Sequence, residues 1–182
     1  MAPRTLLDSL RRGGHILYVR HAEATVGIDQ QNITFLDCST QRNLSAKGRR
    51  QAAIFGETIR RLAIPITLPI ISSPFCRTIE TAARAFGADN ILIDLFWVDV
   101  YRLSGNVSVP EQARILTMVH FVLETPPPSG RNRVIIAHSF PTGVGLGEIP
   151  DMGTIVVKPQ GRGRGFNVVD HLTLEELVDL SP

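Results

Sequence analysis

The sequence predicts an α/β protein, a three-layer sandwich with helices on both faces of a central, mostly parallel sheet. Three observations carry that expectation. Apolar runs at residues 16–19 (ILYV), 68–71 (LPII) and 134–137 (VIIA) are short and rich in Ile, Val and Leu, as strands buried on both faces are. Between them lie segments whose apolar or small residues recur at steps of three and four. Near the C-terminus, TIVVKP and FNVVDHL flank the glycine-rich QGRGRG. They read as an antiparallel β-hairpin at the sheet edge. Strand and helix patterns that alternate in this way build parallel sheets covered by helices.

The elements follow in order. The opening stretch, MAPRTLLDSLRRGGH, has a short apolar patch without the core of a signal peptide. The first strand stops abruptly at Arg20-His21. Ser45 is an N-cap residue for a helix with Gly48, Ala52, Phe55, Ile59 and Leu62 on one face. The second strand leads through SSPFCR, where Pro74 opens a helix running past Ile79 and Ala82 to Phe86. Ser108 and Glu111 form a capping-box pattern ahead of Ala113, Leu116, Val119 and Leu123. TPPPSG is a stiff connector into the third strand. Thr173 and Glu176 cap a last short helix, LEELVDL.

The 182 residues are expected to form one domain. With 43% hydrophobic and 20% charged residues, the composition is that of an ordinary soluble globular protein. A net charge of +2 is too small to imply a nucleic-acid or membrane partner, and no apolar run is long enough to span a bilayer. GRGRG reads as a hairpin turn rather than an RNA-binding tract, having few aromatic neighbours. No glycine loop of the nucleotide-binding type is present. Cys38 and Cys76, the only cysteines, make neither a disulfide framework nor a metal set. Cys76 is expected to be a packed helix residue. The expected location is the cytoplasm.

The chemistry lies at the strand ends. The first strand runs into Arg20 and His21, the second into Arg77 and the third into His138. Ligands of open α/β sheets bind outside the carboxyl ends of the strands, so these four side chains can share one crevice. Arginine offers a permanently charged fork of donors that fits phosphate oxygens. Backbone N–H groups near Phe75 and Cys76 can add to such an anion pocket. An imidazole there can attack phosphorus, provided its attacking nitrogen is unprotonated and its other nitrogen donates to a fixed acceptor. The plainer reading of Arg77 is a helix-surface pair with Glu80, three residues on. His15, His120 and His171 read as structural or surface residues. The histidines do not stand at metal-ligand spacing, so no metal or other cofactor is expected.

Four ordered segments carry a resemblance. VRHAEA (19–24) is similar to the Arg-His-Gly signature of the histidine phosphatase superfamily, whose fold is phosphoglycerate mutase-like. LSAKGRRQA (44–52), SSPFCRTIETA (72–82) and VIIAHSF (134–140) resemble three further segments of that superfamily. The resemblance implies that His21 is a phosphorylated nucleophile, and that Arg20, Arg77 and His138 bind the phosphoryl group in transfer. It implies a proton-donating carboxylate some way after the second arginine. Asp99, in FWVDVYR, is nearest that place, with Asp94 and Glu148 as weaker alternatives. The sequence departs from the pattern at Ala22, where glycine is usual, and at Ser139, where glycine or aspartate is common. The implied reaction is metal-independent hydrolysis of a phosphomonoester on a small molecule. Alternatives are mutase-type phosphoryl transfer and a non-catalytic phosphate-binding module. Residues 27–43 and 96–109 are expected to set specificity. No nucleic acid and no membrane is expected as a partner. A homodimer through an edge strand at 153–159 is one option.

Overall fold

Leu6, Leu7 and Leu10 are all buried, and the stretch that holds them is a helix, α1 (Pro3–Arg12). The apolar patch at the start of the sequence is thus one face of a helix. The structure, a computed structural model, describes residues 3–181. After α1 come β1 (Ile16–Arg20) and a two-stranded ribbon, β2 (Ala24–Val26) with β3 (Asn43–Leu44). Then follow α2 (Ala46–Arg61), β4 (Ile70–Ser72), α3 (Cys76–Phe86), β5 (Ile91–Ile93) and α4 (Trp97–Arg102). The chain continues with α5 (Val109–Leu123), β6 (Arg133–Ala137), β7 (Thr154–Pro159), β8 (Phe166–Leu172) and α6 (Leu174–Val178).

Six strands form the central sheet in the order β5-β4-β6-β1-β7-β8. The pairs β4–β5, β4–β6 and β1–β6 are parallel, whereas β7 is antiparallel to both β1 and β8. Successive side chains of a strand face opposite ways. Leu17, Val19, Val134 and Ile136 therefore pack with α1, α2 and α3 on one face. Tyr18, Ile135 and Ala137 pack with Trp97 and Val100 of α4 and with Ile115, Val119 and Leu123 of α5 on the other. Helices cover both faces, which is why these strands read as unbroken apolar runs.

The expected caps form. Ser45 Oγ accepts from the Gly48 N–H at 2.9 Å, and Thr173 and Glu176 cap each other. Gly48 also lets α2 lie against the chain after β1, since a Cβ there would run into the Glu23 carbonyl. Other expectations move. The second strand is shifted to Ile70–Ser72, and α3 begins at Cys76 with Phe75 as its N-cap. Residues 96–109, read as a loop, contain α4. Strand β7 lies between β1 and β8, so the segment offered for edge pairing between subunits is no edge; β8 is. Among the described residues, no helix is long and apolar enough to cross a membrane.

Cys38 and Cys76 are joined by a disulfide, which corrects the expectation of two unlinked cysteines. The loop after β2 folds back until its short 3-10 turn (Cys38–Thr40) meets the first residue of α3. Spacing along the sequence gave no sign of that approach.

Candidate active site

In register, Arg20 of β1 pairs with Ala137 of β6, and Ile136 of β6 pairs with Ser72 of β4. The next residues of the three strands, His21, His138 and Ser73, therefore leave neighbouring strand ends. The His21 and His138 rings lie 5.7 Å apart, centroid to centroid, edge to face. The Nδ1 of His21 bonds to the carbonyl of Ala22 at 2.8 Å. A carbonyl can only accept, so Nδ1 carries the proton and Nε2 keeps its lone pair. The Nε2 of His138 meets Ser73 Oγ at 2.8 Å, and its carbonyl accepts from the Tyr18 phenol at 2.7 Å.

Both rings are buried, at 2% and 4% exposure. Burial, then the positive charge of Arg77, pushes the His21 pKa down to about 3; Arg20 and Arg42 act the same way, and the Ala22 carbonyl opposes them. The His138 pKa is pushed well below its ordinary value by burial, by His21 and by the same arginines. The fold thus holds two uncharged imidazoles in a cationic setting.

This has a consequence for stability. The unfolded chain protonates His21 near its ordinary value of 6.5, while the folded chain keeps it neutral down to about pH 3. In that window the unfolded state binds more protons, so stability falls as pH falls. Acidification from about pH 7 to about pH 5 is expected to cost about 2 kcal/mol through His21, with His138 adding in the same direction. Urea melts of wild type and His21→Gln at the two pH values check this. The variant should lose about 2 kcal/mol less on acidification, and an equal loss in both would refute the expectation.

Arg77 is 1% exposed and its fork faces a carboxylate. Its Nη1 and Nη2 reach the two oxygens of Asp29 at 2.9 and 3.2 Å. Its guanidinium carbon lies 4.4 Å from the Phe75 ring centroid and 5.4 Å from that of Tyr101. The surface pairing with Glu80 does not form; Glu80 binds Arg49 and Arg84 instead. Arg20 donates to the Ile149 carbonyl at 2.8 Å and pairs with Asp151 at 3.2 Å. The Nε of each of these two arginines is buried without a hydrogen-bond partner among the described residues. Buried, unpaired donors of this kind suit an anion that brings its own acceptors.

The structure thus brings Arg20, His21, Arg77 and His138 together. It does not bring Asp99 to them. Its oxygens are held by Arg102 at 3.3 Å and Arg114 at 2.9 Å, while Tyr101, two positions along α4, is the residue that turns toward His138. Asp94 caps the Phe96 N–H at 3.0 Å, and Glu148 is exposed. The Cys76 N–H, expected in the anion pocket, is taken by Gln41 Oε1 at 2.9 Å. Sequence reasoning missed Asp29, Arg42, Ser73 and Tyr101. Ser73 stands in the SSP segment and Asp29 in the loop already marked for specificity, so their segments were visible and their roles were not.

No curated protein matches the chain. Residues 16–95 match the family model of the histidine phosphatase superfamily (branch 1). Among solved structures, a phosphoserine phosphatase from Entamoeba histolytica in complex with 3-phosphoglyceric acid is similar, with a TM-score of 0.59 and 14% identity over 90% of this chain and 98% of that one. The protein histidine phosphatase SixA complexed with tungstate gives 0.58 and 11%, over 90% and 99%. A mycobacterial glucosyl-3-phosphoglycerate phosphatase complexed with VO3 gives 0.51 and 17%, over 80% and 92%. Residues 16–95 therefore carry the sequence pattern of the histidine phosphatase superfamily, and the described chain has that superfamily's phosphoglycerate mutase-like fold.

Proposed function

We propose that the chain is a phosphatase that hydrolyses a phosphomonoester through a phosphohistidine on His21. The observation that carries this reading is the state of His21. Its Nδ1–H is fixed on the Ala22 carbonyl, its Nε2 is unprotonated, and two arginines beside it each hold a buried, unpaired Nε–H. The similar structures named above include phosphatases, and two of them hold oxyanions that mimic phosphate. In the proposed reaction Nε2 attacks phosphorus in line with the leaving oxygen. Arg20, Arg77 and His138 stabilise the charge spread over the other oxygens. Water then hydrolyses the phosphohistidine. Arg20 and Arg77 supply the positive charge that a metal ion would otherwise bring to the phosphoryl group, so turnover should survive a chelator.

The test is turnover of aryl phosphates by wild type and His21→Ala, with alkaline quench and capture of labelled phosphoryl on the protein. The wild type is expected to release inorganic phosphate and to trap a label that is stable in alkali and lost in acid. The alanine variant should do neither. Equal turnover by both removes His21 from the mechanism. Transfer of the phosphoryl group to a second position of the substrate, without release of phosphate, would mark a mutase. Phosphate binding without turnover would mark a binding module.

A further inference from the structure

The proposed hydrolysis needs a proton at the leaving oxygen, and Asp99 has its oxygens on Arg102 and Arg114. One carboxylate stands in the fork of a site arginine on two oxygens. Asp29 Oδ1 accepts from Arg77 Nη1 and from the Arg42 N–H, each at 2.9 Å. Its Oδ2 accepts from Arg77 Nη2 at 3.2 Å and from the Tyr101 phenol at 3.1 Å. This is the bidentate arrangement a phosphoryl group would make on the same guanidinium. The other carboxylate on the cage, Asp151, reaches Arg20 at 3.2 Å by one nitrogen, and both side chains are partly exposed.

We propose that Asp29 is the proton donor, brought into play by displacement: the substrate's phosphoryl group takes the Arg77 fork from Asp29, whose carboxyl then protonates the leaving oxygen. This rests on the function proposed above. Before substrate arrives, Asp29 is ionised. Burial works to raise its pKa, but the Arg42 N–H, the charge and hydrogen bonds of Arg77 and the Tyr101 hydroxyl outweigh it. These are the groups that face it, from the chain ahead of β3, from α3 and from α4. A phosphoryl dianion in the fork removes the Arg77 contribution and adds a like charge alongside, and both changes raise the Asp29 pKa, so its carboxylate takes up a proton from solvent as the substrate binds and returns it when phosphate leaves.

The steps balance. The lone pair of His21 Nε2 forms a bond to phosphorus as the phosphorus–oxygen ester bond breaks. The leaving oxygen keeps that electron pair and takes the Asp29 proton, so an alcohol departs and Asp29 becomes a carboxylate. That carboxylate then takes a proton from water as the water oxygen attacks phosphorus. The nitrogen–phosphorus bond breaks and its pair returns to Nε2.

The experiment compares Asp29→Asn with wild type on phenyl phosphate, whose leaving group needs a proton, and on dinitrophenyl phosphate, whose leaving group departs as the anion. The kcat on phenyl phosphate is expected to fall about 100-fold or more, and that on the dinitrophenyl ester less than about 10-fold. Calorimetric titration with inorganic phosphate should show the variant binding at least as tightly as wild type, since a competing charge has gone. Asp29→Ser serves as a second variant if the asparagine protein melts early. Equal losses on the two esters, no loss on phenyl phosphate, or weaker phosphate binding overturns the proposal. His21→Ala, run in parallel, separates the two readings. If it turns over like wild type the phosphohistidine reading fails, and the phosphate titration still decides whether Asp29 competes for Arg77.

Discussion

Arg77→Met is expected to abolish tight phosphate binding while leaving the protein as stable as wild type, or about 1 kcal/mol more stable. Two magnitudes decide this. On the stability side, Arg77 is a buried charge with one carboxylate partner and an unpaired Nε. Burial lowers its pKa, and only Asp29 and the Tyr101 side chain oppose that among its main neighbours, while Arg42 repels it. Breaking a buried ion pair is costly when it strands the other charge. Asp29 is 17% exposed and keeps the Arg42 N–H and the Tyr101 hydroxyl, so it is not stranded. Methionine fills a similar length against the Phe75 and Tyr101 rings and gains sulfur–aromatic contact. On the binding side, losing a desolvated charge partner costs about 2–5 kcal/mol. Affinity for phosphate or tungstate should therefore drop about 100-fold or more. Urea melts and calorimetric titration of the same preparation check both halves. A stability loss above about 3 kcal/mol with affinity retained would make Arg77 a structural residue.

The same physics explains what the sequence made legible. An apolar run that both faces of a sheet must bury leaves little choice of structure. The residue just beyond such a run stands at a strand end whatever the loops do. Arg20, His21 and His138 were readable for that reason, and Arg77 through the SSP segment and its resemblance. The acceptor for His21 Nδ1 is local, one residue away, so the required tautomer follows from the strand end itself. Asp29 and Cys38 lie in a loop without periodicity, and their partners are 48 and 38 residues away. Only the folded chain shows those meetings. Asp99 illustrates a different failure. Its distance along the chain suited a donor, but residues 97–102 form a helix, where each step turns by about 100°. Tyr101 faces the site, and Asp99, two steps back, lies on the other side with Arg102 and Arg114. A distance along the sequence does not give a direction until the element is known. Helix α1 was missed for a simpler reason, since three leucines are too few to establish a period.

Opening the Cys38–Cys76 bridge is expected to be the most costly single covalent change to stability. The bridged residues are 38 positions apart, and releasing a loop of that length gives the unfolded chain back about 4 kcal/mol of conformational freedom. Native strain or residual unfolded structure reduces the figure, so about 2–4 kcal/mol is expected for Cys38→Ser with Cys76→Ser. Urea melts with and without reductant should show the same loss in wild type and none in the double variant. An unchanged wild-type melt after complete reduction would refute it. The effect should also be local. Most of residues 25–39 are exposed, and the polar contacts holding the loop on α3 are few: Gln41 on the Cys76 N–H, and Asp29 and the Arg42 carbonyl on Arg77. Without the bridge those bonds, each worth about 1–3 kcal/mol, and the Phe35 ring on Phe75 must hold the loop. Hydrogen exchange should then rise across residues 27–43 well before it rises in β1 or β6, whose core is untouched. Because Cys76 immediately precedes Arg77, this loosening is expected to reach the Arg77 fork. The thiol state of the protein is thereby coupled to how firmly Asp29 is held against Arg77, and a reducing compartment would loosen that contact.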